Sequence, residues 1–256
     1  MSEQTESRTV GSDRTLFRII EALLDLDGAT VTELSAELGI AKSTIHQHLA
    51  TLLELGYAIK EGNEYNVGLR FLTIGEYAKK RNEAAALVEP MVEGLADETG
   101  ERTQFFVEEH GRVIYLHTAT GERAVRANRQ TGEIRYIHSS AGGKAILSRM
   151  PRERVEGILD THGLPAETDR TITDRETLFE ELETIREQGY SVNKEESITG
   201  LWAIGVPAVV DGDVVGAFSV SGPRHRLENS ELHGELPDLL LAAANELEIK
   251  LQYDES

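Results

Sequence analysis

The stretch Ala41–Leu52, AKSTIHQHLATL, sets Gln47 between two histidines, His46 and His48. Imidazoles suggest a metal first, but on a helix residues two apart point about 200° from each other, whereas a shared ion needs i,i+3 or i,i+4 spacing. The histidines therefore stand on opposite flanks, either touching phosphates and groove edges or simply solvated. The residue between them has the more specific chemistry. A glutamine amide makes a bidentate contact with adenine in a major groove.

Two other segments invite catalytic readings and fail them. HSSAGGKAIL (residues 138–147) has glycines followed by a lysine, as a phosphate loop does. That motif requires glycine where His138 stands and Ser or Thr where Ala145 stands. FSVSGP (residues 218–223) lacks the first glycine of a nucleophile elbow, because position 217 is alanine. Ser219 and Ser221 alternate on one face of a strand, which suits binding better than attack. The chain has no cysteine, which excludes disulfides, thiolate metal sites and cysteine nucleophiles. We see no paired acid and base and expect no cofactor, no metal and no enzymatic activity. The alternative is a metabolite-processing enzyme carrying a DNA-binding appendage, or a winged helix used only for protein contacts.

These residues need elements to position them. Residues 14–26 carry Leu16, Ile19, Ile20, Leu23 and Leu24 at helical spacing. Thr30 and Glu33 have the form of a capping box opening a second helix, Gly39 supplies a turn, and a third helix runs from about Lys42 to Leu55. On the third helix, Ile45, Leu49, Leu52 and Leu53 cluster inward. Ser43, Thr44, Gln47, Ala50 and Thr51 face outward. YAIKEGNEYNVG then reads as two short strands around Glu61-Gly62-Asn63. Three helices and a ribbon make a winged helix-turn-helix over residues 12–68, where a bare three-helix bundle would leave the ribbon unexplained. Residues 1–11 read as a disordered tail and 69–83 as a linker helix. Residues 84–256 mix helices and strands: a hairpin around His110-Gly111, a strand at 134–137, a helix from about Lys144, a helix over 175–188, a hairpin around Asp211-Gly212-Asp213 and a closing helix over 230–251. That is an α+β domain with an antiparallel sheet.

Forty-five acids against 26 bases give a net charge of −19. Such a balance argues against a nucleic-acid partner unless the surface is adapted to molar salt, where charges are screened within about 3 Å. Acid-free runs are therefore informative. A run of 16 residues in this composition lacks Asp and Glu only about one time in twenty. Leu38–Leu53 is such a run, as are Ile134–Arg152, Ser197–Val210 and Val214–Leu227. Burial suffices for most of 197–210. The other three hold too many polar residues for that, and we expect them to be surfaces kept open for anions: DNA at the first, an acidic metabolite at the others. No apolar run approaches a membrane span and the N-terminus has no signal-peptide pattern, so the expectation is a cytoplasmic protein that does not contact membranes.

In order and spacing, TVTELSAELGIAKSTIHQHLATLLELGY, EYNVGLRFLTIG, HSSAGGKAIL, EESITGLWAIGVP and GAFSVSGPRHRL resemble the isocitrate-lyase-regulator (IclR) type of transcription factor, over about residues 12–250. The resemblance implies a winged helix-turn-helix followed by a GAF-like effector-binding domain. It also implies a homodimer or homotetramer on a palindromic double-stranded DNA operator, modulated by a small, often carboxylate or aromatic, effector. DNA contacts are expected from Lys42, Ser43, Thr44, His46, Gln47, His48 and Thr51, with Lys60 and Asn63 on the wing. By resemblance the effector pocket falls at Ala141 and Gly142, through backbone N–H groups, and at Asn193, Leu201, Ala203, Ser219 and Ser221. The family commonly has arginine where Gln47 stands, leucine at His48, an acid at Asn193 and a cysteine at Ala203.

Overall fold

The computed structural model describes residues 9–124, 131–228 and 232–254. The chain divides into two compact units, residues 1–79 and 80–256. Of the expected tail, residues 1–8 lie outside the described residues, and a helix already begins at Gly11.

The first unit comprises α1 (Gly11–Asp25), β1 (Ala29–Thr30), α2 (Val31–Leu38), α3 (Lys42–Glu54), β2 (Ala58–Glu61), β3 (Glu64–Val67) and α4 (Arg70–Lys80). The inward residues of α1, α2 and α3 meet in one core: Ile19, Leu23, Leu34, Ile45, Leu49 and Leu52 are all at most 3% exposed. Thr30 accepts from the Glu33 N–H at 3.3 Å while Glu33 accepts from the Thr30 N–H at 2.8 Å, the reciprocal cap its sequence signalled. Gly39, at φ 66°, makes the turn that launches α3. The wing has three strands, in order β1-β3-β2, where the sequence suggested two. The added β1 is two residues long, too short for any period to reveal it. It pairs Ala29 with Tyr65 and Thr30 with Glu64.

The second unit comprises α5 (Ala85–Thr99), β4 (Arg102–Glu109), β5 (Arg112–Thr120), β6 (Ile134–Tyr136), α6 (Ala141–Ser148), α7 (Arg152–His162), α8 (Arg175–Gln188), β7 (Ser191–Lys194), β8 (Leu201–Val210), β9 (Asp213–Pro223), α9 (Arg224–Leu227) and α10 (Leu232–Asp254). The strands form one antiparallel sheet, ordered β6-β5-β4-β9-β8-β7. Strand alternation sends neighbours to opposite faces. Phe105 and Phe218 pack with α5 and α10, whereas Phe106, Tyr115 and Ala217 pack with α6, α7 and α8. The result is helices on both faces of the sheet. Helix α6 begins at Ala141, three residues before its expected start, because the Ser140 hydroxyl accepts from the Gly143 N–H at 3.1 Å and caps it. Strand β7 and helix α7 were not anticipated. β7 is short and lies at the sheet edge.

Candidate functional sites

On α3, Lys42, Ser43, His46, Gln47 and Thr51 are exposed, and Thr44 and His48 are half-buried. Gln47 stands opposite the buried Ile45, Leu49 and Leu52. The first turn of α3 carries no acid and Ala41 provides no side-chain cap, so the positive end of the helix meets solvent with no competing carboxylate on its first turn. Lys42 Nζ donates to Thr32 Oγ1 at 3.0 Å, which holds the ammonium beside that end. Thr51 is partly committed, donating to the Gln47 carbonyl at 3.2 Å. Lys60 and Asn63 are exposed on the wing, with Lys60 Nζ 5.0 Å from the Tyr65 ring centre.

The second site is a partly open cavity of about 30 Å³ in the second unit. Strand register builds its floor. Arg102 on β4 lies opposite Ser221 on β9, Ser221 opposite Ala203 on β8, and Ala203 opposite Asn193 on β7. These four form one row across the sheet and all line the cavity. The next row on the same face runs Gln104, Ser219, Gly205, Ser191. At Gly205 a Cβ would lie 2.6 Å from the Ala141 carbonyl carbon and 2.7 Å from the Gly142 nitrogen. Only glycine there lets the start of α6 settle on the sheet and bring Ser140 and Ala141 to the cavity wall. Phe106, Tyr115, Ser197 and Leu201 complete the lining.

Several expectations need revision. Gly142 is not among the lining residues. It sits behind the wall, where a Cβ would come within 2.2 Å of the Phe106 ring. Asn193 lines the cavity, but its amide donates to the Ser139 carbonyl at 2.6 Å and accepts from the Glu196 N–H at 2.9 Å. Both ends of that amide therefore hold the surrounding loops in place. The acid-free run 134–152 is not an open surface, since every residue of α6 is buried. Lys144 is 1% exposed and donates to Glu196 at 2.7 Å, Glu181 at 2.9 Å and the Val192 carbonyl at 2.9 Å. Burial pushes the Glu196 carboxyl above the usual carboxylate range, against the pull of Lys144. Likewise β9 is buried from Gly216 to Gly222. Arg135 pairs with Glu167 at 2.5 Å, Arg152 with Glu156 at 2.8 Å and Arg224 with Glu228 at 2.8 Å. Packing, which needs no anion, thus accounts for most of these runs.

Sequence reasoning missed Arg102, Gln104, Phe106, Tyr115, Ser140 and Ser197. Arg102, Gln104 and Phe106 alternate along one strand, so two polar residues sharing a face with an apolar one could have flagged β4. With the Gln104 amide turned to satisfy its neighbours, its oxygen accepts from Ser221 Oγ at 2.9 Å and from Arg102 Nε at 3.0 Å, and its nitrogen donates to the Ser219 carbonyl at 3.2 Å. His138 is 1% exposed with Nε2 3.2 Å from the Pro165 carbonyl, and burial holds its pKa below the ordinary imidazole value.

Both units match known protein families. Residues 14–62 fit the "IclR helix-turn-helix domain" and residues 77–249 fit "Bacterial transcriptional regulator IclR C-terminal". The chain is 35% identical over 254 residues to the "Probable HTH-type transcriptional regulator ArcR" of Halobacterium salinarum, covering 96% of each. It is 30% identical over 249 residues to the HTH-type transcriptional regulator KdgR of Escherichia coli, covering 96% of this chain and 94% of that one. Among solved structures, the Thermotoga maritima IclR superposes with a TM-score of 0.77 at 25% identity over 94% of this chain and 99% of that chain. An IclR homologue from Microbacterium hydrocarbonoxydans, complexed with 4-hydroxybenzoate, gives 0.76 at 23% identity over 93% and 99%.

Proposed function

The chain belongs to the IclR family of transcriptional regulators, and from that premise we propose how its own residues carry the work: α3 reads operator DNA and the sensor cavity takes a small organic effector. The observation that carries the first part is the exposed, acid-free face of α3 on a protein of net charge −19. Gln47 is the base-reading residue. His46, His48, Ser43, Thr44 and Thr51 line the groove walls, and Lys42, Lys60 and Asn63 meet phosphates. The acidic remainder suits molar salt, a reading supported by the kinship with a Halobacterium protein. Counterion release contributes less affinity there, so base contacts carry more of it. No helix among the described residues is long and apolar enough to cross a membrane. A regulator of this kind works in the cytoplasm, where its DNA is.

Helix α4 supports assembly as a homodimer or a dimer of dimers on a palindrome. None of its residues is buried, and Leu72, Ile74 and Tyr77 are 60%, 51% and 70% exposed. On α1 of the same unit, Phe17 and Leu24 are equally bare. Phe71 packs half-buried against the first unit's core, and the remaining apolar side of the helix would gain its cover from a partner. Two copies would present two α3 helices to half-sites about 34–36 Å apart, or a multiple of that.

In the cavity, Ser219, Ser221, Ala203 and Leu201 receive the effector beside the start of α6, where Ala141 and Gly142 supply backbone dipole, and Asn193 braces the wall. Effector binding favours one arrangement of the sensor units, and α4 passes it to the DNA-reading helices. The protein acts by binding, with no chemical step.

Mapping of bound chromosomal DNA, followed by anisotropy titration on the sites found, tests this reading. Lys42→Glu with Gln47→Ala is expected to abolish operator binding while sedimentation finds the oligomer intact. Undiminished binding by that double variant would refute the assignment of α3. An effector that binds yet leaves operator affinity unchanged would refute the coupling.

A further inference from the structure

We propose that Arg70 is the positioning residue that locks the DNA-reading helix α3 to the assembly helix α4, so that α4 sets the distance between two α3 helices on the operator. The proposal rests on α3 reading paired half-sites, as read above. By its residues alone the junction is a hinge. Helix α3 ends at Glu54, Leu55 caps it, and Gly56 follows at φ 76°. The Tyr57 N–H donates to the Leu52 carbonyl at 2.8 Å and the Gly56 N–H to the Leu53 carbonyl at 3.0 Å, the pattern of a left-handed glycine cap. That cap finishes the helix, but it takes no group from α4 and does not use the Leu55 carbonyl.

Arg70, the first residue of α4, fills that place. Its Nη1 donates to the Leu55 carbonyl, and its guanidinium lies 4.9 Å from the centre of the Tyr57 ring. The charge matters as well as the bond. Helix α3 has no base in its last turn and ends on Glu54, so the cation at the negative end of its dipole comes from α4. Two further contacts close the same joint. The Gly68 N–H donates to the Tyr57 carbonyl at 2.8 Å, and a Cβ at Gly68 would lie 2.7 Å from the Gly56 carbonyl oxygen, an approach that only glycine permits. Phe71 meets the Tyr57 ring at 4.8 Å between centres, and both rings pack on the core of the first unit.

These contacts fall in the first turn of α4 or just before it. From Leu72 onward the helix keeps an apolar side in solvent, with Leu72, Ile74 and Tyr77 each more than half exposed. In an assembled pair, a rotation of α4 therefore reaches α3 through Arg70 and its neighbours. Without the guanidinium, the chain at Gly56 and Gly68 is free to bend and the two reading helices lose their fixed spacing. One base pair inserted between half-sites moves one of them by about 3.4 Å and about 34°. A rigid joint resists that displacement, and a loose one absorbs it.

Anisotropy titrations of the full-length protein in molar salt test this on synthetic duplexes carrying the two mapped half-sites, with the spacer kept or altered by one base pair either way, and on random duplex. Arg70→Met and Arg70→Gln are measured beside the wild type and Arg70→Lys. Arg70 is exposed, so these changes leave the core untouched, and circular dichroism melts establish that each folds. The wild type is expected to lose about tenfold or more in affinity on an altered spacer, because base contacts in one half-site are forfeited. The two neutral variants are expected to lose about threefold or less. Their affinity for random duplex and their salt slope should match the wild type, and Arg70→Lys should recover part of the discrimination. A folded neutral variant as strict about spacing as the wild type overturns the proposal. So does a salt slope reduced by about one with the spacing preference intact, which marks Arg70 as a phosphate contact. A wild type indifferent to spacing refutes the reading of paired half-sites, and the proposal falls with it. A wild type that discriminates leaves that reading standing, and the variants then decide Arg70 alone.

Discussion

Replacing Lys144 with methionine should be among the most damaging single changes in the sensor unit. Its ammonium is 1% exposed and satisfied by three acceptors at 2.7–2.9 Å: Glu196, Glu181 and the Val192 carbonyl. The side chain of Glu181 is 32% exposed and can turn to water, so its loss costs little. Glu196 cannot: it is 6% exposed and its Oε2 already has no hydrogen-bond partner. Breaking one side of a buried pair costs about 3–5 kcal/mol, of a total stability that is about 5–15 kcal/mol for a protein domain. Lys144→Met should fall at the upper part of that range unless Glu196 takes up a proton, which its raised pKa makes easier and which would limit the loss to about 3 kcal/mol. Removing both charges, in Lys144→Met with Glu196→Leu, should recover most of the loss, because a well-packed apolar pair avoids the desolvation cost. The assay is urea unfolding in molar salt followed by the fluorescence of Trp202, the only tryptophan, which lies on β8 of the same unit. A loss under about 1 kcal/mol in the single variant, or a double variant no better than the single, would refute the claim that an uncompensated buried charge drives the effect.

Gln47→Ala should lower affinity for the operator by about 1–3 kcal/mol and leave affinity for random duplex unchanged, whereas Lys60→Ala should weaken both and reduce the salt slope by about one; anisotropy titrations over a salt series separate the two. Gly205→Ala places a methyl 2.6 Å from the α6 backbone, so a loss of about 1–3 kcal/mol is expected in the same urea assay, together with loss of the effector response. For His138 the folded pKa lies below the unfolded value of 6.5, so its neutral form stabilises the fold above pH 6.5 and that contribution is lost as pH falls through the folded pKa. Wild-type stability should therefore decline below pH 6.5 more steeply than that of His138→Gln, and parallel pH profiles would remove burial of the imidazole as the cause.

What could be read from the sequence was local in origin. The capping of α2 by Thr30 and Glu33, the glycine turn at Gly39 and the outward face of α3 depend on residues within four positions of one another, where backbone hydrogen bonds and helical period act. Ser219 and Ser221 could be placed on one strand face for the same reason, and resemblance located Ala203, Leu201 and Ala141 near them. The place of Arg102 in the cavity wall was not legible. Arg102 reaches it only because β4 pairs with β9 in a register that sets it beside Ser221, more than a hundred positions away. Composition even misled: a lysine in an acid-free run reads as an open cation until folding brings Glu196 to it from 52 positions along the chain. Short-range periodicity decides which face a side chain takes, while strand register and burial decide what it meets there, and only the folded chain fixes those.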